Sequence, residues 1–463
     1  MSLIETPDID EEIVSSSVKQ KSELNSTLAW KEYEKIIFRI VAVFLLLQII
    51  PLDWKYYRDL FTRDWSTLHF SNFFYTARYA PRIFSDVPTY ADWFVLLAVS
   101  VIAALVWGRL DKERKEYNTL YYWLRVIVRY RLAAGLIAYA FIKFFPQQMP
   151  YPSLSSLNTN YGDLTAWKIF SISTGIVPGY QSFLGLIELI PALLLLNRKT
   201  TVIGAFIILP FTGNVVLSNL AYEGGEYVYG SLLIVFAVFL VAYDAVRLYR
   251  FANELPVAPN QYKPELKESW QRTSRLVLKY GFIFVFVFFY GYKVRASYKD
   301  NGYHYPTAKG LPNAEGIYNV KEFTINKQTI APSRIDAARW RDVVFEKWNT
   351  ISIRSNEKVV KASALSEEIF FTDENRNYEY AGNEGRQFYS YEIDSANHVL
   401  KLINRNTQSH DYTFNYSNPD KKTFALSGVN SKNDSLTITL ERIDKKYLLQ
   451  EATKKGRRGG LKL

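Results

Sequence analysis

Four polar side chains stand inside stretches of this 463-residue chain that are otherwise apolar: Tyr139, Lys143, Glu188 and Asn214. A phenol, an ammonium, a carboxyl and an amide can together orient a polar head group, and the carboxyl or the phenol can exchange a proton with it. Charge in hydrocarbon is costly, so such groups are expected to face a bundle interior, where they serve a ligand or join helices. At 1.5 Å rise per residue, Tyr139, Glu188 and Asn214 lie roughly 9, 12 and 8 Å from one common end of their runs. One level therefore holds all three. Lys143 stands nearer that end, where its simplest course is to snorkel to the surface. The competing reading of Glu188 is a protonated carboxylic acid that bonds a neighbouring helix. Asp244, Arg129 and Arg131 fall toward the opposite ends and are expected at that interface.

Other chemistries find little support. Cysteine is absent, which excludes disulfides, thiolate metal sites and cysteine nucleophiles. The four histidines, His69, His304, His398 and His410, all lie outside the apolar runs, so haem ligation between helices is not expected and no metal is assigned. No GxGxxG after a strand, Walker loop, HExxH or GxSxG is present. The formal charge of +11 does not argue for nucleic acid, because the basic residues sit mostly at the ends of apolar runs.

The elements that must position the four residues are membrane spans. Seven stretches, 36–52, 93–110, 123–145, 180–197, 201–219, 227–246 and 276–294, are long and apolar enough to cross a bilayer, which takes about 20 residues. Mean hydropathy is nevertheless only −0.10, so a polar region must offset them. With the N-terminus inside, Lys31, Lys35, Arg39, Arg109, Lys112, Arg114, Lys115, Arg125, Arg198, Lys199 and a second group from Arg247 to Lys279 fall inside. Only Lys55, Arg58, Arg63, Arg78, Arg82 and Lys168 fall outside. That bias orients the bundle N-inside and, after seven crossings, exports everything beyond Val294. The basic KKGRRGG at 454–460 does not overturn it, since long domains cross largely regardless of charge. No cleavable signal is visible, and the first run is expected to act as an uncleaved anchor. The loop 53–92 is rich in aromatic rings, among them Trp54, Tyr56, Phe74 and Tyr79, with interspersed arginines. It is expected to pack at head-group level, with a ligand vestibule as the alternative.

Beyond Arg295 the period changes to two. Alternating runs at 320–325, 343–348, 350–355, 387–393, 398–404, 412–417, 422–428 and 435–442 are separated by Asn, Asp, Gly and Pro. They predict an antiparallel meander closing as a small barrel or a sandwich. The resulting organisation is a polar tail at 1–34, a membrane domain at 35–294, an exposed linker at 295–313 and an exported β-domain at 314–463. The linker expectation rests on Gly302, Pro306, Gly310 and Pro312 within a polar run.

Two resemblances add to this. GIYNVKEF, with Gly316 and Tyr318, and the basic Arg442 on the last long strand resemble a lipocalin-like pattern. Residues 121–250 resemble the DoxX-like integral membrane proteins, in particular larger bacterial members with a C-terminal domain. The carrying residues are Arg129-Tyr-Arg131, GLIAYAFIKFFPQQMPYPSL (135–154), Tyr161-Gly162-Asp163, Gly185 to Leu196 around Glu188, Arg198-Lys-Thr200, and Gly213-Asn214-Val-Val216 with Asn219. The likeness implies a four-helix core in a bacterial cytoplasmic membrane and little about chemistry, since relatives include subunits tied to quinone-linked oxidation. This chain departs from the pattern at Glu223-Gly-Gly-Glu226 and Gly230-Ser231, where relatives have an Asp-containing loop and then a His. Two functions follow as expectations. The favoured one is a non-enzymatic protein that binds a lipid or quinone, or scaffolds an envelope complex through its β-domain. The other is a quinone-linked oxidoreductase or a membrane subunit of one, with quinone as cofactor. With no cysteine and no intramembrane histidine to hold a redox centre, it would need a protein partner to receive electrons.

Overall fold

The computed structural model describes residues 30–64, 66–255, 262–300, 302–333, 335–359, 369–370, 372–418, 420 and 422–448. The tail at 1–29 and the basic run at 454–460 lie outside the described residues. The helical half comprises α1 (Glu32–Ile49), α2 (Trp54–Phe61), α3 (Phe70–Ala77), α4 (Tyr90–Leu110), α5 (Asn118–Phe144), the single turn α6 (Leu154–Leu157), α7 (Ala166–Gly175), α8 (Pro178–Leu195), α9 (Thr201–Ala221), α10 (Tyr227–Ala242), α11 (Ala245–Ala252) and α12 (Ser269–Lys299). Four of these, α4, α8, α9 and α12, are each long and apolar enough to cross a membrane. Counting the bent pairs α1–α2 (44°) and α10–α11 (64°) as one span each raises the number to six. The expected span at 123–145 corresponds to α5, a 27-residue helix that carries Arg125, Arg129, Arg131 and Lys143. The structure thus has several apolar candidate spans, and the number seven goes beyond what it establishes.

Burial explains the arrangement. Residues Leu132 to Ile142 of α5 are buried all round, and the small Ala133, Ala134, Gly135, Ala138 and Ala140 let neighbouring helices approach. By contrast α4 exposes Phe94, Ile102 and Leu105, the surface a lipid-facing helix presents. A capping box starts α4: Thr89 N donates to Asp92 Oδ2 (2.7 Å), and Asp92 also accepts from Ile83 N and Phe84 N.

The C-terminal half is a closed antiparallel barrel. Strands β1 (Gly316–Ile325), β3 (Asp342–Phe345), β4 (Thr350–Arg354), β5 (Gln387–Asp394), β6 (Val399–Asn404), β7 (His410–Ser417), β8 (Thr423–Asn430) and β9 (Ser435–Arg442) pair in sequence order. β1 bonds both β3 and β9, which closes the eight-stranded sheet. The two-residue β2 (Gln328–Thr329) folds back on the end of β1 through Asn326 and Lys327, both at positive φ, as a tight hairpin turn requires. Tyr318, Phe323, Trp340, Phe345, Phe414 and Phe424 fill the interior, so closure here yields a packed core.

The expected exposed linker is a correction. The span helix α12 runs on to Lys299, and the segment after it is packed: Tyr303 and His304 are buried. His304 Nε2 sits 3.1 Å from Gln148 O, and Tyr305 Oη donates to Tyr151 O (2.8 Å). The barrel itself is docked. Glu346 accepts from Ser155 N (2.7 Å), Ser155 Oγ (2.6 Å) and Leu154 N (3.2 Å), capping α6. The Tyr161-Gly162-Asp163 turn and the residues after it pair with 382–384 through Thr165 N to Gly382 O (2.9 Å) and Glu384 N to Asp163 O (2.8 Å). Polar breakers read as a free tether because their segment's partners, such as Lys347 for Gly310, Asp373 for Thr307 and Gln148 for His304, lie outside any local window.

A pH dependence follows from this interface. Burial, with Glu346 nearby, pushes the Glu379 carboxyl up to about 7 from 4.5. The folded form therefore holds a proton that the unfolded chain releases, and stability should fall as pH rises from about 4.5 to about 7. His304 acts oppositely: burial pushes its imidazole down to about 3, so stability is lost as pH falls below about 6.5. Glu379→Gln isolates the first effect. The two effects oppose each other between about pH 4.5 and 6.5, so the stability of the wild type should be nearly flat there, whereas thermal unfolding of the variant should show stability rising with pH across that window.

Candidate functional site

The close approach of α5 and α8 sets the site. A side chain at Gly185 would collide with the backbone of Ala140, Lys143 and Phe144, so only glycine lets these helices touch there. One turn further along α8, Glu188 then faces α5 and is buried at 5% exposure. Its partner is Lys143: Nζ donates to Glu188 Oε2 at 2.6 Å. The ammonium also lies over the Tyr139 ring (5.6 Å) and the Phe211 ring (5.8 Å). Lys143 does not snorkel. In an apolar bundle a carboxylate without a cation is far costlier than a turned-in lysine, and the pair neutralises both charges.

Tyr139 takes a different acid. Its hydroxyl donates to Glu226 Oε2 (2.7 Å), and Arg78 pairs with the other oxygen of Glu226. Glu226 is held at the α9–α10 turn, where its N–H donates to Asn219 Oδ1 (3.2 Å) and Asn219 Nδ2 donates to Val215 O (2.9 Å). Asn214 has no partner in common with either acid. All four predicted residues nevertheless line one cavity of about 190 Å³, together with Arg78, Trp167, Phe170, Asn219, Glu226 and Tyr229. The structure thus gathers Tyr139, Lys143, Glu188 and Asn214 around one space and divides the acids into two ion pairs. Tyr303 and Ile369, from the C-terminal half, also line it.

The aromatic loop is more than interfacial packing. While α2 buries nothing, α3 buries Phe70, Ser71, Phe74 and Ala77 against the bundle, with the Phe74 ring 5.1 Å from that of Tyr139. Arg131 was expected at the opposite interface. It instead donates to Ala77 O (2.5 Å) and Tyr79 O, eight residues and about 12 Å along α5 from Tyr139. The loop therefore dips into the bundle. A second cavity of about 540 Å³ is lined by Tyr56, Arg63, Tyr79 and Arg82 of the loop and by Tyr227. Arg78, Glu226 and Tyr229 line both cavities, so the Arg78–Glu226 pair stands in their common wall.

Sequence reasoning missed Glu226 and Arg78. Glu226 stood out only as a departure from a family pattern, and Arg78 was one arginine among several in an aromatic loop. Neither lies within an apolar run, the signal that singled out Glu188. Among the described residues no cluster of three or more His, Asp or Glu could hold a metal ion.

No family model and no solved structure matches the chain. One curated relative, the uncharacterized protein YwoB of Bacillus subtilis (strain 168), is 29% identical over 100 residues. The match covers 22% of this chain and 62% of that protein, so less than two thirds of the relative is spanned, and its name states no activity to compare.

Proposed function

We propose that this is a DoxX-like integral membrane protein of about seven spans that binds a lipid-soluble ligand in the cavity beside Glu188. We place its N-terminus inside a bacterial cytoplasmic membrane and its barrel outside, as the contact module for a protein partner in an envelope complex. The observation that carries the binding reading is the buried Lys143–Glu188 pair at 2.6 Å in the wall of an aromatic-lined cavity. Both ion pairs there are neutral overall, which suits an uncharged head group. Flat walls from Tyr139, Trp167, Phe170 and Tyr229 suit a planar one. A quinone head group combines these properties, with its carbonyl oxygen accepting from Lys143 and its tail in the bilayer; a neutral lipid is the less planar alternative. A second reading, a quinone-linked oxidoreductase subunit, is favoured by the Tyr139–Glu226 hydrogen bond, which gives a phenol and a carboxylate between which a proton can pass.

Organic extraction of the protein purified in mild detergent, followed by mass spectrometry and absorbance, tests the reading. A stoichiometric quinone is expected. Glu188→Gln, whose amide oxygen can still accept from Lys143, should lower stability yet leave a folded protein and reduce its occupancy about tenfold or more, because the acid that orients Lys143 is gone. Recovery of bulk phospholipid alone, in proportions equal for wild type and variant, would sink it.

A further inference from the structure

The membrane face opposite the cavity holds a cluster with the reverse electrostatics. Asp244, at the bend between α10 and α11, takes Arg247 Nη1 at 2.8 Å and Arg125 Nη2 at 3.5 Å, and it is itself buried. Arg125 lies with its guanidinium 3.5 Å from the centre of the Tyr243 ring. Arg129, one turn along α5, is near enough to repel Arg125, and Arg198, in the turn between α8 and α9, is near enough to repel Arg129. Two guanidinium groups thus meet one carboxylate, and those of Arg129 and Arg198 follow in line beside Arg125. Their own donors are not used up: Arg125 Nε, Arg129 Nε, Arg198 Nη1 and Arg247 Nε are buried and meet no acceptor. Each unmet buried donor costs stability, more for a charged group, and crowding like charges adds to it. A fold does not assemble four such donors cheaply for packing alone.

What would satisfy them is a tetrahedral anion, whose oxygens accept from several guanidinium forks at once. The position at helix ends, between α5, α8 and α10, is where basic pockets take phospholipid head groups. Arg129 and Arg198 are only half-buried, so the cluster is open to such a group from the side. We propose that Arg125, Arg129, Arg198 and Arg247 form a binding site for the phosphate of an anionic phospholipid, distinct from the outer cavity and independent of what that cavity holds. The charge contrast separates the two: the cavity's acids and bases balance, whereas this cluster leaves three positive charges for the ligand to meet.

The test uses the full chain, stripped of lipid in detergent, with its unfolding midpoint measured after adding phosphatidylglycerol, phosphatidylcholine or millimolar inorganic phosphate. Phosphatidylglycerol should raise the midpoint by about 3 °C more than phosphatidylcholine does. Inorganic phosphate should do little. In the double variant Arg129→Gln/Arg198→Gln that lipid preference should vanish. Should the double variant fail to fold, Arg198→Gln alone, at a half-buried position in the turn between α8 and α9, should at least halve the preference. Equal shifts with the two lipids, an equal shift with inorganic phosphate, or a preference that survives Arg198→Gln intact would each overturn the proposal.

Discussion

Lys143→Met should lower stability by about 3–5 kcal/mol, the loss found when one member of a buried ion pair is removed and the other left uncompensated. The reason is geometric. Glu188 is buried, its partner is the Lys143 ammonium at 2.6 Å, and Gly185 pins the two helices so closely that α8 cannot turn Glu188 toward another cation. The double variant Lys143→Met/Glu188→Leu should recover most of that loss, since apolar replacement of a whole buried pair is near neutral or stabilising. Thermal unfolding in detergent measures both. If the single variant unfolds like wild type, Glu188 was not relying on Lys143. The double variant also separates folding from function, because it should fold well and yet retain no ligand.

Arg386→Ala should cost about 3–5 kcal/mol for a related reason at the barrel's edge. The side chain is wholly buried and pairs with Asp342 Oδ1 at 2.6 Å. It also donates to Ser352 Oγ (2.8 Å) and reaches Asn158 O (3.3 Å) in the loop after α6. One fork therefore joins β3, β4 and the helical half. Among the described residues, removing it leaves Asp342 with Arg354, 3.7 Å away, as its cation. Arg386→Lys should restore little, because an ammonium cannot serve these separated acceptors from one plane. Limited proteolysis should show the loss first as release of the barrel from the bundle. A variant whose barrel stays docked with an unchanged unfolding midpoint would refute this account.

Much of the architecture was legible from the chain because it depends on quantities local to a window. Hydropathy along 18–20 residues marks a candidate span whatever surrounds it, so 93–110 and 201–219 lie within helices found at Tyr90–Leu110 and Thr201–Ala221. Alternation of period two marks a strand, and the eight predicted runs fall on the eight strands that close the barrel. Glu188 was legible as a site candidate because a carboxyl in an apolar run has no local means of compensation. The misreadings share one cause. Lys143, Arg131 and the segment 297–313 were assigned by local rules for snorkelling, interfacial placement and polar linkers. Each is in fact decided by partners far along the chain: Glu188 is 45 residues from Lys143, Ala77 is 54 from Arg131, and Gln148 is 156 from His304.

By itself the sequence determined that the chain has two halves, one of apolar helices and one an antiparallel sheet, and that a carboxyl, a phenol and an amide fall at similar distances along three of the apolar runs, with an ammonium nearer the end of one. Composition and period are enough for that, since burial of apolar surface acts on every residue of a run alike. Only the tertiary structure decided which charge meets which. Ion pairing depends on the rotation of each helix about its axis and on how closely two axes pass, and a single residue without a side chain, Gly185, sets that distance between α5 and α8. The same contact that brings Lys143 to Glu188 leaves Tyr139 to Glu226, and so divides one predicted cluster into two pairs around a shared space.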